Sequence, residues 1–313
     1  MNMSSTELAT RHTPRVDARQ KGSKAPAFDP HYLFLIPSAL TLIAVLLFPI
    51  CYTVYLSFFD HNLNTGSNTF IGFGNYIALL SEGRVWSSLA RTILIAGTAV
   101  VIEIVLGLFV AYGFYNLVRG AKTLNLLFFV PQVITPVVAA VFFRWVFIGQ
   151  FGLIAATLAG YGIEAPDFLG TAFWAPITVI WADVWQFTPL VVLILYSAML
   201  GVDESQLEAA RIDGAGAIML LRRIVVPAIK PFIMFAFLIR MMDAFRYFDS
   251  IYVLTAGGPG TATETITMYT YVLAFRLLDS GKASALGVLT LLFLCAVTAI
   301  VFAFNRFFSR RSS

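Results

Sequence analysis

The chain is 313 residues long, 59% hydrophobic and only 12% charged, with a net charge of +4 and 29 phenylalanines. Soluble globular chains carry about 25% charged residues, so this composition excludes a pair of ordinary soluble domains. Two cysteines and three scattered histidines exclude a disulfide framework, a paired-cysteine metal site and a histidine metal cluster.

Residues 1–29 are polar, basic and poor in aromatics, and read as a disordered cytoplasmic arm. The next stretch, Tyr32 to Phe59, runs 28 residues without a charge. About 20 apolar helical residues cross a bilayer, so this stretch spans one with tilt to spare. A cleaved leader has an apolar region of only about 7–15 residues, which favours an uncleaved span. Further apolar windows place spans at 88–118, 123–148, 172–199, 231–255 and 284–308, the last followed by a short cytoplasmic tail at 309–313. The expected fold class is therefore all-α, with six transmembrane helices forming one domain over residues 30–308. Pro131 and Pro136 predict a broken third span. Cys51 and Cys295 fall inside spans, where they act as small hydrophobes.

Lysine and arginine set the direction. With the N-terminus inside, 14 of the 21 basic residues lie in inner segments, including Lys24, Lys122, Arg211, Arg222, Arg223 and Lys230. Only three, Arg84, Arg276 and Lys282, lie in outer loops. This asymmetry predicts that both termini and residues 200–230 are cytoplasmic. It also accounts for the basic balance without nucleic acid as a partner.

The 200–230 loop is the most informative segment. Asp203 is placed to cap a helix, Glu204 adds favourable charge in its first turn, and residues 206–212 favour helix. Gly214 supplies a turn, a second short helix starts near Ala217, and Pro227 and Pro231 are expected to stop it before the fifth span. The product is a helix–turn–helix knuckle outside the bilayer.

These residues resemble a known family. Glu208-Ala209-Ala210 is followed after three residues by Gly214, then after nine more by Ile224, with Val226-Pro227 beyond. The permeases of binding-protein-dependent ABC importers carry this EAA loop at the same spacing, with leucine where this chain has Val226. The longer run Glu208 to Ala215 resembles the carbohydrate, maltose-type branch, as do Leu254 to Pro259 and Asp279 to Leu286. The resemblance implies the type I importer permease fold in the bacterial inner membrane. It implies an ATPase-coupling surface made by Glu208, Ala209, Ala210, Asp213, Gly214, Ile224 and Pro227. It also implies partners: a second homologous permease chain in a heterodimer, two ATPase subunits, and a periplasmic or lipid-anchored solute-binding protein. ATP and magnesium would reside on the ATPase, with no cofactor or metal on this chain. In agreement, the chain holds no phosphate loop; Gly281-Lys282 is followed by alanine rather than serine or threonine. A transport subunit, not an enzyme, is expected.

Ionisable residues inside spans are costly and mark function. The fifth span carries Arg240, Asp243, Arg246 and Asp249 at successive i,i+3 spacing, read as a water-facing stripe or as a structural ladder of ion pairs. Tyr247 beside it offers a ring for stacking, and the fourth span adds Trp181, Asp183, Trp185 and Gln186. These are candidates for a solute path, with Glu103 and Arg144 as weaker ones; Arg144 is expected to snorkel outward. The expected cargo is a sugar or sugar-like solute. The same architecture serving an amino acid, polyamine or anion remains open, as does a proton-coupled carrier using Glu103, Asp183 and Asp243.

Overall fold

The computed structural model describes residues 35–117 and 120–309. The arm at 1–29 and residues 310–313 of the short C-terminal tail lie outside the described residues. The chain divides into two compact units, 1–50 and 51–313. Helix α1 (Ile36–Leu56) begins in the first and ends in the second, and it is uncharged throughout.

Among the described residues, five helices are long and apolar enough to cross a membrane: α1, α3 (Gly83–Tyr115), α8 (Trp174–Met199), the helix covering Ala217–Phe245, and α14 (Ser280–Ser309). The third expected span is in pieces, α4 (Ala121–Phe128), α5 (Val130–Val133) and α6 (Pro136–Phe147), with the break at Ile134–Thr135 before Pro136. Proline restricts the residue before it to extended backbone, and Thr135 has ψ of 144°. The predicted fracture is present where the prolines lie.

The fifth span differs from expectation. Helix α10 (Ala217–Leu220) passes through a π-helical turn, Leu221–Val225, directly into α11 (Val226–Phe245). Pro227 and Pro231 do not stop the helix. Pro227 falls in the first turn of α11, where its missing N–H costs little, and the π turn ahead of it resets the hydrogen-bond register. The helix that carries the fifth span therefore runs over Ala217–Phe245 and ends ten residues earlier than the expected 231–255. Arg246 and Tyr247 fall beyond it, and Asp249 opens a separate helix, α12 (Asp249–Leu254).

Shorter elements had no periodic signal long enough to be expected. They are the antiparallel hairpin β1 (Phe59–Asn62) and β2 (Ser67–Phe70), then α2 (Gly74–Ser81), α7 (Leu153–Gly160) and α13 (Ile266–Tyr271). The hairpin is pinned to the start of α14: Leu63 N–H donates to the Leu278 carbonyl at 3.0 Å, and Asn64 Nδ2 to that of Leu277 at 2.9 Å. Asn75 ties α2 beneath it through bonds to the Ser57 and Phe59 carbonyls.

Helices α3 and α8 make the most extensive pairing in the fold, and α11 packs on both. The α3 face that permits this carries Ala96, Ala99, Val100, Gly107 and Ala111, all buried. Small residues let helices approach closely where lipid offers no hydrophobic drive. Gly107 is the tightest point, since a Cβ there would lie 2.6 Å from Val191 Cγ1 of α8. Gly107→Val is therefore expected to destabilise the fold by roughly 1–3 kcal/mol, the usual cost of overpacking. The check is the thermal midpoint of purified protein in detergent. Gly113→Val is the control, because its Cβ meets no atom within 4 Å.

Candidate coupling knuckle and buried polar core

The loop after α8 folds as the knuckle expected. Asp203 Oδ1 accepts the Ser205 N–H at 2.9 Å and caps α9 (Glu204–Ile212). Gly214 then adopts φ of +84°, and the Ala215 N–H donates back to the Ala210 carbonyl at 2.9 Å. This left-handed closure satisfies the last carbonyls of α9 and aims the chain into α10. Leu207 points inward with Leu220, Leu221 and Val225, in an apolar cluster shared with Ala111 of α3 and with Val191 to Met199 of α8. Ile224 packs against the same cluster. Tyr112 of α3 donates to the Ala217 carbonyl at 3.0 Å. The knuckle is thus rooted in three helices.

Its outer face is different. Glu208, Ala209, Asp213 and Pro227 are exposed, and so are two large apolar side chains, Ile212 at 86% and Ile218 at 79%. Basic Arg211, Arg222 and Arg223 are exposed on the same segment. Two exposed isoleucines thus stand within a charged loop.

The polar residues of the spans are arranged differently from the sequence expectation. Arg240 does not form a ladder with Asp243. Its Nε donates to Glu103 Oε2 at 2.6 Å and its Nη2 to Glu103 Oε1 at 2.9 Å, a bidentate pair between α11 and α3. The same Nη2 donates to Asp183 Oδ2 of α8 at 3.1 Å. The side chains of Arg240 and Glu103 are wholly inaccessible, and that of Asp183 is 3% exposed. The Phe187 ring covers the guanidinium, its centroid 4.0 Å from Cζ. Asp243, Arg246 and Asp249 are exposed instead. Helical phase separates Asp249: at about 3.6 residues per turn, Arg240 and Asp249 would stand on opposite faces even if the helix continued.

Gln186 and Trp185 are also engaged. Gln186 Nε2 donates to the Ile134 carbonyl at 2.9 Å, filling a backbone acceptor released at the break before α6. Trp185 meets the Phe143 ring edge-on at 5.2 Å. Together with Trp181, Leu106, Phe128 and Pro131, it lines an apolar cavity of about 410 Å³. Tyr247 is partly buried, with its ring 6.1 Å from Phe187. Arg144 does not merely snorkel; its Nη1 donates to the Val253 carbonyl at 2.8 Å and ties α6 to α12.

A second polar cluster was not singled out from sequence. At the end of α3 away from the knuckle, Arg84 grips Glu264 through Nε at 2.9 Å and Nη2 at 2.6 Å. Ser88 donates to the same carboxylate, Arg91 donates to Thr261, and Thr92 accepts the Ile266 N–H at 2.8 Å. Tyr269 donates to Glu82 at 2.5 Å; burial and then this bond raise its phenol above the ordinary range, which keeps the donor protonated. The four polar positions on α3 recur at i, i+4, i+7 and i+8, a helical-face signal readable only once a partner loop is known.

The two clusters should respond differently to loss of the cation. Arg240→Met strands two inaccessible carboxylates and is expected to cost about 3–5 kcal/mol. Arg84 is 40% exposed and its partner Glu264 only 6%, so Arg84→Met strands one nearly enclosed carboxylate that keeps Ser88 as a donor, and should cost less than the loss of Arg240. Thermal midpoints of the two variants in detergent check the contrast.

Comparison with known proteins shows the family and the fold. The family profile described as binding-protein-dependent transport system inner membrane component matches residues 103–313. The trehalose transport system permease protein SugA of Mycobacterium tuberculosis is 36% identical over 282 residues, covering 88% of each chain. The sulfoquinovosyl glycerol transport system permease protein SmoG of Agrobacterium fabrum is 31% identical, covering 86% of this chain and 87% of its own. The trehalose/maltose permease protein MalF of Thermococcus litoralis is 29% identical over 88% of this chain and 93% of its own. Among solved structures, a bacterial ABC transporter importing the acidic polysaccharide alginate shares the fold at a TM-score of 0.76 and 19% identity, over 88% of this chain and 94% of that one. The chain belongs to the inner-membrane component family of binding-protein-dependent transport systems, as a multi-pass permease subunit rather than an enzyme.

Proposed function

We propose that this permease is one half of a heterodimeric membrane gate that imports a sugar or sugar conjugate, driven by ATP hydrolysis on separate subunits. Relatives named for trehalose, maltose and sulfoquinovosyl glycerol support the carbohydrate class. In this reading both termini and the knuckle are cytoplasmic, and a solute-loaded binding protein delivers cargo to the opposite face. The solute passes beside α8 and α11, where Trp185, Asp243, Arg246, Tyr247 and Asp249 border the path, and Asp183, Gln186 and Arg240 hold its wall.

The observation that carries the proposal is the knuckle itself. A rigid turn closed by Gly214 presents Ile212 and Ile218 outward beside Glu208, while its inner face is locked to α3, α8 and α11. An apolar pair on a charged loop gains by burial in a cleft of another protein. The ATPase is the partner of that chemistry, with Glu208, Ala209, Ala210, Asp213, Gly214, Ile224 and Pro227 forming or supporting the contact. Closure of two ATPases then rocks the attached helices as rigid bodies.

Replacing Gly214 tests the lever directly, because a Cβ there meets nothing within 4 Å and only backbone conformation is perturbed. The left-handed region costs an ordinary L-residue roughly 1–2 kcal/mol, less for asparagine. Gly214→Val is expected to lose uptake with cargo binding to the external receptor unchanged, and Gly214→Asn to retain much of it. Normal uptake and normal ATPase stimulation in Gly214→Val would sink the lever. Orientation is checked separately: single cysteines at Ser205 and Ser67 should label from opposite sides of intact vesicles.

A further inference from the structure

We propose that the Glu103–Arg240–Asp183 cluster is a transmission joint that makes α3 move with α8 and α11, linking the knuckle to the Glu264 loop at the far end of α3. The proposal deepens the reading of this chain as an importer permease and rests on it. The cluster makes Arg240, Glu103 and Asp183 positioning residues rather than solute contacts.

Three observations carry it. The knuckle is continuous with α8 on one side and with α11 on the other, whereas α3 has no direct chain connection to it. Movement reaches α3 through its contacts: near the knuckle through Ala111 and the Tyr112 bond to Ala217, and deeper in the bundle through the charged cluster. Next, the cluster lies where two apolar groups meet. Ala111, Val191 and Ala236 belong to the knuckle group on one side, and Ala96, Val100 and Ala244 to another group on the other. Apolar surfaces can slide over one another at small cost, but a bidentate guanidinium–carboxylate pair fixes both separation and register. Finally, α3 is not free at its other end. Arg84, Ser88, Arg91 and Thr92 grip the segment from Thr261 to Ile266, so displacement of α3 must displace that loop.

Stability alone is a poor account of such a cluster. Desolvating three charged groups offsets their attraction, and well-packed apolar residues hold helices as firmly. A joint that resists sliding needs directional bonds, and the cluster supplies three.

The charge count gives a clean test. Two carboxylates face one guanidinium, so neutralising either one leaves a balanced pair and no stranded charge. Glu103→Gln breaks the bidentate grip on α3, and Asp183→Asn weakens the tie to α8. Each variant is purified as the full transporter with its ATPase and binding protein, then placed in liposomes. The readouts are solute moved per ATP and the stimulation of ATP hydrolysis by loaded binding protein. Both are expected to fall severalfold in Glu103→Gln, with basal hydrolysis not reduced and binding-protein affinity unchanged. Asp183→Asn should shift both in the same direction, with the solute concentration for half-maximal uptake unchanged. Unchanged coupling in assembled Glu103→Gln overturns the proposal. So does a raised half-maximal concentration with normal coupling in Asp183→Asn, which would place that carboxylate on the solute path. Failure of both variants to assemble also overturns it, leaving the cluster a folding element. If the wild-type chain itself copurifies with no ATPase, the importer reading fails instead, and the two failures are distinguishable.

Discussion

A guanidinium keeps its charge away from water only if acceptors are already in place around it. That constraint organises the centre of this fold. Arg240 must meet Glu103, and Glu103 can reach it only if α3 and α11 are close; Asp183 completes the ring only if α8 joins them. The small residues of α3 make the approach possible, and the close contact at Gly107 holds α8 at the required distance. Charge and packing therefore demand the same arrangement of three helices. A shift of one helix along another would leave a buried ion without its partner, which is far more costly than the loss of a few apolar contacts.

The same absence of water governs the backbone. Breaking the third span exposes carbonyls that no solvent reaches, and the side chains that answer them come from elsewhere in the chain. Gln186 serves Ile134, and Ser250 adds a bond at 3.2 Å to the Pro136 carbonyl, which already lies within α6. The prolines near the start of α11 do not break it: Pro227 lies in its first turn, behind a π turn, and Pro231 lies inside the helix. One proline pair fractures its helix and the other does not.

The hydropathy windows identify the apolar helices because spanning a bilayer is a requirement on length and composition, both local properties. The knuckle was legible for a related reason: Asp203, Gly214 and the spacing to Ile224 act within a few turns of chain. What escaped was everything set by three-dimensional phase. Arg240, Asp243, Arg246 and Asp249 look alike in the sequence, yet Arg240 is wholly enclosed and the others are exposed; Arg246 and Asp249 lie beyond the helix end at Phe245. Glu103 drew little weight as a lone carboxylate, although it is the principal partner of Arg240. The grip of Arg84 on Glu264 joins residues 180 positions apart, and no local pattern reports such a distance.

The hairpin at residues 59–70 adds a constraint in time. Its strands form early in synthesis, but the partners of Leu63 and Asn64 are the carbonyls of Leu278 and Leu277, and Asn62 forms a bridge with Asp279. Those groups leave the ribosome more than 200 residues later, since Asn64 and Leu277 are 213 apart. Throughout that interval one edge of the hairpin stands open, beside α2, whose Asn75 is already bonded to it. The last helix therefore closes a surface prepared by the first loop. A nascent chain arrested before residue 277 would carry every element up to α13 and still lack the acceptors of Leu63 and Asn64 in the hairpin turn.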